Sequence, residues 1–253
     1  MKPCLVMRFT WALTGIALCV PAWAGRPLTV EDAATAEQGT CQLEVWTDQA
    51  SDQRTQQWAP ACGVAAGVEV ALSGAQLHSS QPRRQQAGGS VKIVPSAWQT
   101  EVSWGPWSGT LQWGLKAETL YNRGQSAAGA SSNLGWAPSW QWAQTQVLAV
   151  ASWRADAHWA AHANVGLQRI EGSPATARLI RLAGVWTPRP DMQWFAEALA
   201  NHRPEVFGPH AVALGGRWWW IQDRLGLDLV ATRERGASAP RVSVGLGWYA
   251  LGW

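Results

Sequence analysis

From residue 40 onward, hydrophobic and polar positions alternate in blocks of about ten residues, and helical periodicity is almost absent. The blocks predict strands at residues 41–48, 54–63, 65–77, 89–97, 109–121, 143–153, 157–169, 176–187, 191–201, 210–221, 224–235 and 241–253. The connections alternate as well. Residues 63–64, 154–156, 187–190 and 222–223 read as short turns, whereas 78–88, 122–142, 170–175, 202–209 and 235–240 read as longer loops. Short turns on one side and long loops on the other is the asymmetry of an outer-membrane barrel. The expected fold is therefore all-β, an antiparallel up-and-down transmembrane β-barrel of about 12 strands. One connection breaks the rule. Residues 97–108, with Trp98, Trp104 and Trp107, are long for the short-turn side, and they either add strand length or change the count by two. The longest loop contains a Gly/Ala/Ser-rich stretch at 124–132.

The chain ends fit this picture. Residues 1–24 carry Lys2 and Arg8, a short apolar run and Ala22-Trp23-Ala24, the pattern of a signal peptide cut after Ala24. Residues 25–40 then form a periplasmic N-terminal segment and 41–253 the barrel. An even strand number puts both barrel ends in the periplasm. The last strand runs to Trp253 with no turn after it, as a closing strand should. Tyr249, Leu251 and Trp253 share one face and are assigned as an outward aromatic end that signals assembly. Val242, Val244, Leu246 and Trp248 have the opposite phase. That switch predicts a bulge near Gly247, which lets both sets face lipid, or else a lumen that is apolar at this level; Gly245 and Gly247 favour the bulge.

Composition sharpens the assignment. Twenty tryptophans stand against two tyrosines and three phenylalanines. A soluble core would want more Leu, Ile and Phe, so the tryptophans read as interfacial belts, with Trp113, Trp153, Trp159, Trp186, Trp194, Trp219 and Trp253 in or at the ends of strands. Two of the 20 basic side chains leave with the leader, against 17 acidic ones, and the near-neutral remainder has no basic cluster for nucleic acid. Cys4 and Cys19 leave too, and Cys19 follows Leu18, the wrong neighbour for a lipid anchor. Cys41 and Cys62 lie equally far from a hairpin tip near residue 51, so they predict a cross-strand disulfide.

Alternation also assigns faces. It turns Glu69, Lys92, Lys116, Glu118, His162, Asn164, Arg181, Glu197, Arg217 and Asp228 toward the lumen, because a charge facing lipid at mid-depth costs about 2–4 kcal/mol. One use for these residues is a structural network, with Glu118, Glu197, Lys116, Arg181 and Arg217 in opposing rows. Another is a polar path or binding site for a solute. Catalysis has little footing. His78 with Ser79 and Ser80 falls in a loop, and His162 has no serine two residues away on its own face. His158 and His162 are about 13 Å apart on a strand, too far to share a metal. No catalytic residue, metal site, cofactor or enzymatic activity is expected.

The segment Arg26-Pro27-Leu28-Thr29-Val30-Glu31-Asp32-Ala33-Ala34, followed by Gly39 and Leu43-Glu44, resembles the N-terminal pattern of a family of bacterial outer-membrane proteins labelled transporters of the phenol-degradation-pathway type. Val30-Glu31-Asp32 stands where that family has Thr-Asp-Asp. Lys92, the block His162-Ala163-Asn164-Val165-Gly166, Glu197, and Gly215 with Arg217 extend the likeness over most of the chain. The resemblance implies an outer-membrane barrel of a Gram-negative bacterium that acts as a passive channel or transporter for small solutes, hydrophobic ones included. The alternatives are a structural or surface-interaction barrel that conducts nothing and, third, a lipid-modifying enzyme. Expected partners are outer-membrane lipid, the barrel-assembly machinery and periplasmic chaperones; the small-molecule solute is not specified.

Overall fold

The computed structural model describes residues 28–51, 53–79, 84–104, 107–123, 139–204 and 208–252. The leader 1–24, the stretch 124–132, Ser80 and Trp253 lie outside the described residues.

Strands rich in Val, Thr, Leu and Trp alternating with small or polar residues pair in chain order into one antiparallel sheet. They are β1 (Thr40–Gln49), β2 (Gln53–Ala65), β3 (Val68–Ser79), β4 (Arg84–Ile93), β5 (Gln99–Trp104), β6 (Trp107–Arg123), β7 (Gln141–Arg154), β8 (Trp159–Ile170), β9 (Thr176–Arg189), β10 (Met192–Asn201), β11 (Ala211–Ile221), β12 (Leu225–Glu234) and β13 (Arg241–Gly252). β1 pairs with β13, from Thr40 opposite Gly252 to Gln49 opposite Val242, and this closes the barrel. Closure leaves no bare edge at the seam, which is what lipid demands of a sheet.

β4 and β5 share one place in the wall. β4 pairs with β6 down to Ile93 opposite Leu115, and β5 takes over from Gln99 opposite Gln112. Connection 97–108 thus adds strand length, and the wall has twelve positions. The expected strand at 89–97 starts earlier, at Arg84. Gln85, Gln86 and Gly88 read as loop in sequence, but they ladder with β3 on one side and β6 on the other. Thr40 and Gly252 put the first and last strand ends together at the short-turn end.

Outside, Leu72, Val147, Val165, Leu167, Ile180, Leu182, Leu214 and Val244 form an exposed apolar band. So large a contiguous apolar surface belongs against lipid. Tryptophans gather near the short turns: Trp98 stacks on Trp113 at 4.1 Å, Trp159 on Trp186 at 5.9 Å, and Trp218 meets the edge of Trp194 at 5.4 Å. This is an interfacial girdle. Trp219 is the exception among the expected belt residues, since it points inward and is only 8% exposed.

The closing strand corrects a second assignment. The register slips between Cys41 and Leu43, where Tyr249 and Ala250 form a bulge and Ala250 takes φ +54°. The bulge lies two residues beyond the expected Gly247. Before it the alternation is unbroken, which puts Val242, Val244 and Trp248 outside and Tyr249 inside at 8% exposure. The glycine at 247 has a packing reason: its Cα lies under the Tyr249 ring, where a Cβ would collide. Tyr249 is therefore a lumenal residue, not part of an outward aromatic end.

Cys41 and Cys62 face each other across β1 and β2, with Cα atoms 4.0 Å apart, and are bonded. Peptide mapping of the unreduced protein is expected to recover Cys41 and Cys62 in one linked fragment; finding both as free thiols would contradict the β1–β2 register.

Candidate functional site

The lumen is not empty. Residues 28–39, expected as part of a periplasmic segment outside the barrel, run instead within it. Gly63 allows the entry: the backbone carbonyls of Ala36 and Glu37 sit where its Cβ would be, so only glycine lets the chain pass the wall this closely. Gly39 N–H donates to the Gly63 carbonyl at 2.9 Å.

Beyond that point the wall takes up the segment's backbone with side chains. Ala36 N–H donates to Glu69 Oε2 at 2.8 Å and Ala33 N–H to Ser152 Oγ at 2.7 Å. Val30 N–H donates to Glu197 Oε1 at 2.7 Å. Asn164 grips Glu31 at two points, accepting from its N–H at 2.8 Å and donating to its carbonyl at 2.7 Å. A buried backbone has to find such partners. Here four wall strands, β3, β7, β8 and β10, supply them.

Apolar contacts anchor the same segment. Ala33, 1% exposed, packs with Val94, Leu148, Val150 and Leu179. Leu28 packs on a second inner patch of Val185, Phe195, Ala213 and Val230.

Glu31 and Asp32 meet the lumenal bases. Glu31 pairs with Lys116 and, at 3.6 Å, with Lys92. Lys92 also lies 3.5 Å from Asp32 and 3.6 Å from Glu69, so three carboxylates share one ammonium. Lys116 reaches Glu118 at 3.5 Å, Gln146 donates to Glu118 at 2.8 Å, and Arg181 donates to Gln146 at 3.0 Å. Burial pushes the Glu31 carboxyl up, but Lys116 and Lys92 outweigh it and hold the group at about 2. Asp32 goes the other way: burial, with Glu31 and Glu69 adding to it, lifts the carboxyl to about 7 in spite of Lys92.

Those opposite shifts make docking of the segment pH-dependent. A carboxyl raised from 3.8 to about 7 favours the docked state at low pH, and that preference fades as pH climbs to about 7. Glu31, lowered from 4.5 to about 2, contributes above 4.5 and is lost only as pH falls toward 2. Between pH 5 and 7 the Asp32 contribution is the one that changes. Amide protection of residues 28–37 is expected to fall from pH 5 to pH 7.5; protection that rises over this interval would contradict the Asp32 environment.

A second cluster sits apart, at the closing seam. Arg217 forms a two-point pair with Asp228 at 2.6 and 2.8 Å and lies 3.8 Å from Glu44. Its guanidinium packs over the rings of Trp219 and Tyr249 at 5.0 and 4.9 Å, and Tyr249 donates to Glu44 at 2.5 Å. The four polar groups come from β1, β11, β12 and β13, so the cluster ties the first strand to the last three.

All ten expected lumenal residues therefore point inward, but they form two clusters rather than opposing rows, and Arg217 is not in the row of Lys116 and Arg181. Glu31, Asp32 and Glu44 were missed. Glu44 alternates with Leu43 and Val45 and was legible; Glu31 and Asp32 carried only the motif as a signal. His162 does find a serine, on the neighbouring strand: its Nδ1 and Ser152 Oγ are 2.7 Å apart. The Ser152 oxygen also accepts the Ala33 N–H, and the described contacts of His162 include no carboxylate. The pair therefore lacks the third group that orients a catalytic histidine. Among the described residues no group of His, Cys, Asp and Glu is arranged to hold a metal.

Between the segment and the wall of β1 to β4 lies a cavity of about 310 Å³, lined by Gln42, Glu44, Gln57, Ser73, Gln86 and Lys92 among others.

No protein-family model matches the chain, and no curated protein matches it. Solved structures do. A KdgM porin matches with TM-score 0.52 at 7% identity, covering 82% of this chain and 98% of its own. A KdgM porin in complex with disordered oligogalacturonate matches with TM-score 0.51 at 9% identity over the same shares. At such identity the likeness is one of fold. The chain has the fold of an outer-membrane porin barrel.

Proposed function

We propose that this protein is an outer-membrane channel for small polar solutes, constricted by its own N-terminal segment. The observation that carries the reading is the cavity beside residues 28–32. Its volume, about 310 Å³, is at the lower end of ligand-site sizes, which suits small solutes. Its lining is mixed: Leu28, Val30, Trp46 and Leu120 stand beside Gln42, Glu44, Glu69, Lys92 and Lys116, and the charged groups suit solutes that carry polar groups. That resemblance gives further support. Its scattered residues Glu31, Asp32, Lys92, Asn164 and Glu197 meet at the segment and its contacts.

A second reading, a barrel that conducts nothing, draws on the same segment, because four backbone amides and two carboxylates hold it in place. Liposome swelling separates them. Refolded protein is expected to admit glycine or arabinose faster than protein-free liposomes do. Swelling no faster than the protein-free control, both for the wild type and for Lys92→Met, would overturn the channel reading and leave the structural barrel.

A further inference from the structure

We infer that the lumenal groove of Lys92, Lys116, Ser152, Asn164 and Glu197 is a recognition site for an acidic peptide in an irregular, bent conformation, which the protein's own residues 30–36 occupy. This deepens the channel reading by naming a ligand class for the same lumen.

A segment that merely fills a pore needs bulk, and its polar groups need water or each other. These residues are small, and the wall reads them one by one. Asn164, fully buried, brackets both backbone polar groups of Glu31, as a neighbouring strand would. Glu197, Ser152 and Glu69 accept the N–H groups of Val30, Ala33 and Ala36. These contacts recognise a backbone that bends at Val30 and Ala33, whatever its side chains. Selectivity comes from two features. Lys116 and Lys92 take the two oxygens of the Glu31 carboxylate, and Lys92 turns also to Asp32. Beside them Val94, Leu148, Val150 and Leu179 close around Ala33 and leave space only for a small side chain. The motif that fits is therefore two adjacent acids followed by a small residue, on a backbone bent at the small residue, where the Ala34 N–H turns back to Asp32 Oδ1 at 3.3 Å. Nothing in the contacts requires the occupant to be joined to β1. The segment is joined to the barrel only through residues 37–39, so a free peptide of the same chemistry competes with it for the same partners.

The test uses the full chain and displaces the segment without touching the wall. Glu31→Lys/Ala33→Trp sets a lysine against Lys92 and Lys116 and a tryptophan in the Ala33 niche. The probe is a fluorescein-labelled peptide of residues 28–37, Leu-Thr-Val-Glu-Asp-Ala-Ala-Thr-Ala-Glu, read by anisotropy in detergent micelles. It is expected to bind the double variant at least about tenfold more tightly than wild type, whose site is filled; a peptide carrying Glu31→Gln and Asp32→Asn is expected to bind the variant about tenfold more weakly than the acidic one. Equal binding of the two peptides, equal binding to wild type and variant, or no binding at all would overturn the site. So would a variant whose segment stays protected from amide exchange, since a site reading Glu31 and Ala33 has no place for Lys and Trp. The linked Cys41–Cys62 fragment and the heat-modified gel shift establish that the variant is folded; if it is not, Glu31→Lys alone is read the same way. The binding assay needs no conduction. A barrel that binds the acidic peptide but admits no solute keeps this site and loses the channel reading, and the converse result does the reverse.

Discussion

Arg217→Ala is expected to give the largest loss of barrel stability of any single lumenal change. The guanidinium is 3% exposed and has Asp228 and Glu44 around it. Removing it leaves two buried carboxylates facing each other across the seam, and breaking a buried pair from one side costs about 3–5 kcal/mol. The Tyr249 and Trp219 rings lose their cationic neighbour as well. β1 is joined to β13 by backbone bonds with a bulge at this level, so the side-chain tie matters most where the ladder is interrupted. The folded band in a heat-modified gel should unfold well below the wild-type temperature. Arg189→Ala is the contrast. Its pair with Asp191 is more than half exposed on both sides, and exposed pairs contribute about 0–1 kcal/mol. Equal heat resistance for the two variants would remove the seam cluster from the account.

Lys92→Met is expected to have the largest effect on the lumen itself. The change keeps the side chain's length and removes its charge. Glu31, Asp32 and Glu69 then lose the cation they share, and Glu31 keeps Lys116 and, further off, Arg181. Glu69 is fixed in β3, whereas Glu31 and Asp32 ride on a segment with no ladder of its own, so the segment is the part that yields. Faster liposome swelling and faster amide exchange at residues 28–37 are the expected readouts. Adding Glu69→Gln to Lys92→Met takes away one of the crowded charges, keeps an oxygen for the Ala36 N–H, and should restore part of the protection. Glu197→Ala should act in the same direction, since it strips the acceptor from the Val30 N–H. If Lys92→Met admits solute no faster than wild type, the segment is not held by charge.

The wall was legible because a strand in a barrel repeats one decision, inside or outside, at every second residue. Lys116 and Glu118 against Leu115 and Trp113, or Asn164 against Val165, leave no ambiguity when the alternative is a charge or amide in lipid. The same rule is weaker where both faces are apolar. Val185 and Phe195 point inward and Trp186 and Trp194 outward only by the phase carried from Arg181 and Glu197 on the same strands. Period two holds without a break from Val242 to Tyr249, and Tyr249 is assigned to the wrong side only because a bulge is expected near Gly247, before it. The content of the lumen was hidden for another reason. Residues 28–37 have neither period two nor period 3.6, because their conformation is set by partners far away in the chain: Lys92, Ser152, Asn164 and Glu197. What the sequence did carry was two adjacent acids, Glu31 and Asp32, ahead of the first strand, and Lys92, Asn164 and Glu197 on inward phases of their strands.

Amide hydrogen exchange of the refolded full-length barrel, read by mass spectrometry on fragments covering residues 28–37, tests the occupied lumen most directly. The N–H groups of Val30, Glu31, Ala33 and Ala36 all donate to wall side chains, and Val30 and Ala33 are 1% exposed. They should exchange far more slowly than a free chain at pH 5, and they should lose that protection in Glu31→Lys/Ala33→Trp while the fragments of β7 and β8 stay protected. Exchange of residues 28–37 at the rate of an unstructured peptide in the wild type, beside a protected wall, would mean that the lumen is empty and that the segment lies outside it.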